Sequence, residues 1–194
     1  MSYPTPPGAI DNVISELQYR YLPSLDRLGV AGLLKNERLG KVAVVSSFGI
    51  ESGCLLHFIS QILLAADVIF VDTLLHFPVT LEYRDQLVEK LKLNLVTIAP
   101  HKDFLDTEGP GEDLYSSEPN GCCLIRKVFP LQDQLASYNS WISGRKRYQG
   151  GQRSNIPILE RSGEYIKVNP LATWTKSKVF NYMQLHEIPI HPHL

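Results

Sequence analysis

Apolar residues recur at helical spacing through residues 11–36: Val13, Ile14, Leu17 and Tyr21, then Leu25, Leu28, Leu33 and Leu34. That spacing gathers them on one helix face, and Pro23 divides the stretch into two short helices. The pattern then changes. Val42-Ala43-Val44-Val45 is an unbroken apolar run rich in β-branched residues, which suits a strand buried on both faces. Val68-Ile69-Phe70-Val71 and Leu93-Asn94-Leu95-Val96-Thr97-Ile98 repeat the signal, and Trp141-Ile142-Ser143 is a shorter instance. Helical stretches are expected over 53–65, 79–92, 123–137 and 175–187. Polar, Gly/Pro-rich residues 101–121 predict a long loop. Residues 156–159 and 165–168 are expected to pair across a turn at Ser162-Gly163.

Strand–helix alternation of this kind predicts an α/β fold, a mostly parallel sheet of five strands with helices on both faces. Ligands of such sheets bind beyond the carboxyl ends of the strands. Three segments occupy that position: 46–52, 72–80 and 143–153.

Composition narrows the function class. A chain of 194 residues fits one compact unit, and 44% hydrophobic with 20% charged residues is ordinary for a globular protein. The net charge of −1 gives no global reason to expect nucleic acid or a membrane surface, so an anion site must arise from local clustering. No apolar run approaches the roughly 20 residues that span a bilayer. Residues 1–8 lack a basic head followed by an apolar stretch, which predicts a short disordered lead and no secretory signal. Three cysteines, two of them adjacent, make a poor disulfide framework and fit a reducing, cytoplasmic compartment.

Ser46-Ser47-Phe48-Gly49-Ile50-Glu51-Ser52 joins a buried strand to a helix. Small and hydroxyl residues there leave backbone N–H groups free to face an anion at a helix N-terminus. No Gly-Lys-Ser/Thr follows, so it is not a Walker A loop, and an ordinary serine-rich helix cap is the bland alternative. Asp72 and Thr73 end the second strand, where a nucleotide is within reach; Asp72 also suits a cap and His76 a surface role. Pro78 marks the next helix start.

Cys122-Cys123-Leu124-Ile125-Arg126-Lys127 places two thiols beside two cations, which favours the metal-binding thiolate. Two buried thiols are the alternative. Cys54 reads as a small core residue. Arg145, Lys146, Arg147 and Arg153 make a glycine-flanked basic loop after a strand end, suited to bidentate recognition of phosphate or sulfate. Thr173 or Thr175 is expected to cap the last helix.

Taken together, segments 46–52, 71–80, 122–131, 141–149 and 167–174 resemble the adenylyl-sulfate and phosphoadenylyl-sulfate reductase family, in its order and near its spacing. The resemblance runs from about residue 40 to the end. It implies a fold of the adenine nucleotide alpha-hydrolase (PP-loop) type, with residues 1–40 as an N-terminal helical segment and 41–194 as a sulfonucleotide-binding α/β unit. It implies that Ser46, Phe48, Gly49 and Ser52 receive the sulfate and phosphate end, and that Val71 and Thr73 contact the adenosine portion. Gly144 and Arg153 look like nucleotide contacts in the basic loop. Lys127 is similar to a lysine between cluster and substrate. Cys122 and Cys123 look like the first two ligands of a [4Fe-4S] cluster, a pair that favours adenylyl sulfate as substrate.

Further expectations follow from the resemblance: a thioredoxin- or glutaredoxin-dependent oxidoreductase of sulfate assimilation and cysteine biosynthesis, homo-oligomeric, releasing sulfite and AMP. The family's second cysteine pair and its tail cysteine nucleophile would follow His191-Pro192-His193-Leu194, so no catalytic residue is assigned in this chain. On that ground the chain is expected to be a shortened form that binds nucleotide without turnover and cannot complete a four-cysteine cluster alone. Three alternatives remain: a phosphoadenylyl-sulfate reductase, an ATP-using PP-loop nucleotidyl transferase or pyrophosphatase, and a non-catalytic nucleotide-binding module.

Overall fold

Burial alternates with the strand pleat. Val44, Val68 and Phe70 face one core, while Ala43 and Ile69, one residue away, face another. The computed structural model describes residues 8–23, 27–107 and 113–192. The expected disordered lead, apart from Gly8, lies outside the described residues, as do Leu25 and the last two positions.

Helices α1 (Ala9–Tyr21) and α2 (Arg27–Leu34) open the chain. Strand β1 (Val42–Val45) leads to α3 (Ser52–Ser60), β2 (Asp67–Val71), α4 (Pro78–Leu91) and β3 (Asn94–Ile98). Then come α5 (Lys102–Thr107), α6 (Asp113–Ser117) and α7 (Pro119–Cys123). A π-helical turn, Leu124–Val128, joins α7 directly to α8 (Phe129–Leu135). Strands β4 (Ser140–Ser143), β5 (Leu159–Ser162) and β6 (Tyr165–Val168) precede α9 (Lys176–Leu185).

The sheet has six strands, not five, in the order β3-β2-β1-β4-β6-β5. All neighbouring pairs are parallel except β5 with β6. The hairpin sits three residues later than the apolar run 156–159 suggests. Its register pairs Ser162 with Tyr165, so a two-residue Gly163-Glu164 turn fixes where β5 lies, with Gly163 at φ +61°. Ile156 and Ile158 are buried as part of the connection instead.

Three other expectations need correction. The α3 helix stops at Ser60, because the chain must turn back through 61–66 to start β2 parallel to β1. Stretch 101–121 holds α5, α6 and the start of α7, with Pro119 in the first turn of α7. Leu28 is exposed; α2 buries Val30, Leu33 and Leu34.

One face of the sheet packs against α1, α2, α3, α4 and α9, and the other against Leu131 and Leu135 of α8 with Tyr138. Leu33, Leu39 and Leu87 are fully buried, and each contributes roughly 1.5–3 kcal/mol. No helix among the described residues is long and apolar enough to cross a membrane.

Candidate functional site

The strand order makes a crevice. From β1 the chain steps outward to β2 and β3, then crosses back to β4 on β1's other side. Loops leaving β1 and β4 therefore diverge, and such a switch point is where ligands of open α/β sheets bind. A cavity of about 680 Å³ lies there, lined by Ser46, Gly49, Ser52, Gly144 and Arg153 among others.

Beyond β1 the chain turns sharply. Ser46 continues the ladder by donating its N–H to the Ile69 carbonyl at 3.0 Å, and its Oγ accepts from the Phe48 N–H at 3.2 Å. Phe48 adopts a left-handed φ of +50°, with its ring fully buried and edge-on to Phe70 at 5.5 Å. Its side chain is thus a core anchor, and only its backbone belongs to the loop. The N–H groups of Ser47, Gly49, Ile50 and Glu51 meet no acceptor among the described residues. These residues line the cavity just ahead of α3, a placement of unpaired amides that suits an anion.

The opposite wall comes from β4. Gly144 passes close to α3; a Cβ there would lie 3.3 Å from Leu55 Cδ2. The basic loop is ordered into two 3₁₀ turns, Arg147–Gln149 and Gly151–Arg153, with Gly150 and Gly151 at positive φ. Glu51 holds this loop. Its carboxylate accepts from Lys146 Nζ at 2.9 Å, Tyr148 OH at 2.6 Å and Gln149 Nε2 at 3.0 Å. Burial opposes the charge of Glu51, yet these donors outweigh it and keep the carboxyl below its ordinary range. Burial and the neighbouring carboxylate push the Tyr148 hydroxyl up, so it stays a donor.

Behind the wall, Glu160 accepts from Lys167 Nζ at 3.0 Å and Asn169 Nδ2 at 2.9 Å, and Arg145 lies 3.5 Å away. Burial resists the Glu160 charge, but these partners hold its carboxyl below the usual range. Lys176 and Phe180 of α9 complete the cavity. Its lining carries four cations, Arg145, Lys146, Arg153 and Lys176, against one carboxylate, Glu51.

A second group lies along the carboxyl end of β2. Val71, Thr73 and Lys127 do not line the cavity. Asp72 Oδ1 accepts from the Leu74 N–H at 2.9 Å and Thr73 Oγ1 from the Leu75 N–H at 3.3 Å, so both brace the turn before α4. His76 reaches the Val71 carbonyl at 3.0 Å and stacks near Phe70.

Arg126, in the π turn, donates to the Thr73 carbonyl at 2.9 Å. It is 5% exposed, has no carboxylate partner among the described residues, and its Nε meets no acceptor. An uncompensated buried cation is costly unless an anion joins it. One turn earlier stand buried Cys122 and exposed Cys123. No three potential metal ligands cluster among the described residues. Cys54 is fully buried, and burial pushes its thiol up to about 12.

Lys146 was legible in the sequence as part of the basic loop, and Arg126 as a cation beside the thiols. Glu51, Gln149, Lys176 and Phe180 were given no role of their own, because their partners or neighbours in the cavity lie far away along the chain.

Residues 41–193 match the model of the phosphoadenosine phosphosulfate reductase domain. The chain is 42% identical over 154 residues to the adenosine 5'-phosphosulfate reductase of Chelativorans sp., covering 79% of this chain and 63% of that protein. A Mesorhizobium japonicum relative of the same name is 42% identical over 153 residues, covering 78% and 60%. The chain thus spans less than two thirds of these two relatives. A Bacillus cereus relative of that name is 36% identical over 170 residues, covering 85% and 72%.

Among solved structures, the chain is similar to a phosphoadenylyl-sulfate reductase from Candida auris in a phosphate complex. The TM-score is 0.75 at 23% identity, with 98% of this chain and 92% of that one covered. The U34-tRNA thiolase NcsA from Methanococcus maripaludis, solved with its [4Fe-4S] cluster, gives a TM-score of 0.60 at 15% identity, covering 95% and 67%. Both likenesses show the PP-loop type of fold.

Proposed function

The chain belongs to the phosphoadenosine phosphosulfate reductase domain family, and from that premise we propose that it is the sulfonucleotide-binding body of an adenylyl-sulfate reductase. Residues 41–194 form the binding unit, and 1–40 its N-terminal helical segment. One feature carries the choice of adenylyl sulfate: the adjacent Cys122 and Cys123, the pair that the family resemblance associates with that substrate. Arg126, just after the pair, is buried and donates to the Thr73 carbonyl at the end of β2.

In this reading the free amides of 46–52 and the cations Arg153 and Lys176 receive the anionic end of adenylyl sulfate. Ser46, Gly49, Ser52 and Gly144 shape that wall, with Phe48 fixing the loop from the core. Val71 and Thr73 serve the adenosine portion, and Lys127 lies between nucleotide and thiols. Cys122 and Cys123 would hold two irons of a [4Fe-4S] cluster, whose other ligands come from outside the described residues. The unpaired Nε–H of buried Arg126 fits a nearby anionic group of that kind. When bound, such a cluster supplies a charged sulfide surface beside the substrate.

Reduction needs a nucleophilic thiolate. Cys54 is unsuited, being sealed in the core with its thiol pushed up to about 12. In this reading, with Cys122 and Cys123 committed to the cluster, the attacking thiolate comes from a cysteine other than these three. That thiolate attacks the sulfur of adenylyl sulfate, the S–O bond to AMP breaks, and an enzyme S-sulfonate forms. A dithiol such as thioredoxin or glutaredoxin then supplies two electrons, leaves as a disulfide and releases sulfite. The setting is a reducing cytoplasm, and the assembly a homo-oligomer.

The test is made on the full-length protein: iron and acid-labile sulfide content, with sulfite release from adenylyl sulfate and from its 3'-phosphorylated analogue. Bound iron and sulfide with preference for adenylyl sulfate are expected. A cluster-free protein that prefers the 3'-phosphorylated nucleotide overturns the substrate assignment.

A further inference from the structure

Glu51 is out of place by charge. Among the described residues it is the one carboxylate lining the cavity, beside four cations, so by itself it opposes an anionic ligand. Its bonds explain its presence. Lys146 is 2% exposed and needs a counter-charge, which Glu51 supplies at 2.9 Å. The same carboxylate accepts from Tyr148 and Gln149.

Gln149 passes the constraint on. Its Nε2 donates to Glu51, while its Oε1 accepts from the Lys146 N–H at 3.2 Å and from Arg153 NH1 at 3.0 Å. Arg153 is thereby tied to Glu51, the residue just before α3, through one amide. Its charge stays available, because among the described residues neither Arg153 nor Lys176 pairs with a carboxylate. Lys146 and Arg145, by contrast, lie against Glu51 and Glu160.

We propose that Glu51 is a positioning residue for anion binding: it gathers Lys146, Tyr148 and Gln149, and through Gln149 it sets Arg153 on the cavity wall. The inference rests on reading this cavity as the sulfonucleotide site. The loop carrying Arg153 holds Gly150 and Gly151 at positive φ, so its own backbone constrains it weakly. Pre-setting the guanidinium spares the ordering that binding would otherwise demand.

Two accounts of Glu51 predict opposite signs. If it only repels anions, Glu51→Gln tightens binding. If it positions Arg153, the same change weakens binding although it removes a negative charge. The experiment titrates the chain with adenylyl sulfate by calorimetry, using E51Q, Q149L, R153A and the E51Q/R153A double variant. E51Q is expected to bind about tenfold more weakly, the scale of one charge-assisted hydrogen bond. Q149L, at an exposed position that leaves Glu51 in place, is expected to lose a similar factor. In the R153A background, E51Q should add less than about twofold, since its effect passes through Arg153. Without ligand, E51Q and Q149L should both speed tryptic cleavage within 145–153.

Unchanged or tighter binding by E51Q overturns the inference, as does a full tenfold loss added on top of R153A. If E51Q does not fold, Q149L decides alone: unchanged binding and cleavage overturn the inference. Failure of the unaltered chain to bind adenylyl sulfate overturns the cavity reading and the inference with it.

Discussion

Cys54 and Cys123 carry the same group in opposite surroundings. Cys54 is fully enclosed and burial pushes its thiol up to about 12, whereas Cys123 is exposed. At pH 8 iodoacetamide is therefore expected to label Cys123 in the native chain and Cys54 only after unfolding, as read by mass spectrometry of tryptic peptides. Labelling of native Cys54 at a comparable rate would contradict its placement in the core. Glu51 gives a second prediction. Its folded carboxyl titrates below the ordinary value of 4.5, so the unfolded chain binds the proton more readily. The stabilisation is present above pH 4.5 and is lost as pH falls through the lower folded value. E51Q should thus show a shallower fall of the urea midpoint between pH 5 and 3 than the unaltered chain. Identical slopes would remove Glu51 from the acid response. Cys54 was legible from its apolar helix, but the role of Glu51 was not: Lys146 lies 95 positions away, and no local pattern reports that contact.

At the scale of elements, the loop 46–52 and α3 depend on close approach. A Cβ at Gly53 would stand 2.7 Å from Ile188 Cγ2 and 2.8 Å from the Tyr83 hydroxyl. Gly53→Ala is expected to destabilise by about 1–3 kcal/mol, measured by urea unfolding, because two packed neighbours must shift. Phe48→Ala should cost about 3–5 kcal/mol in the same assay, since a fully buried ring is lost. A loss below about 1 kcal/mol would mean that Phe48 does not anchor the loop. The apolar runs at 42–45, 68–71 and 93–98 announced their strands because buried parallel strands need little else. The π turn at Leu124–Val128 was not announced, for its sequence suits an ordinary helix and its extra residue serves the burial of Arg126 against a distant carbonyl. The position of β5 escaped for a related reason: a two-residue turn sets its register, while the stronger apolar signal lies just before it.

The whole molecule places its chemistry by topology. Strand order reverses between β1 and β4, so the loops 46–52 and 143–153 face each other across a cavity of about 680 Å³. Alternation of strands and helices predicted such a crevice and offered three strand-end segments; 46–52 and 143–153 line it, whereas 72–80 does not. What alternation left open was the division of labour within it. Among the described residues, salt bridges engage Arg145 and Lys146 and pair neither Arg153 nor Lys176, a partition that depends on Glu160 and Glu51 arriving from other elements. The proposed occupant of this cavity is a sulfonucleotide, and equilibrium titration of the chain with adenylyl sulfate, compared with ATP and magnesium, decides it. One adenylyl sulfate is expected to bind per chain without a metal requirement, more tightly than ATP, and at least tenfold more weakly in Arg153→Ala. Magnesium-dependent ATP binding with no binding of adenylyl sulfate would contradict it.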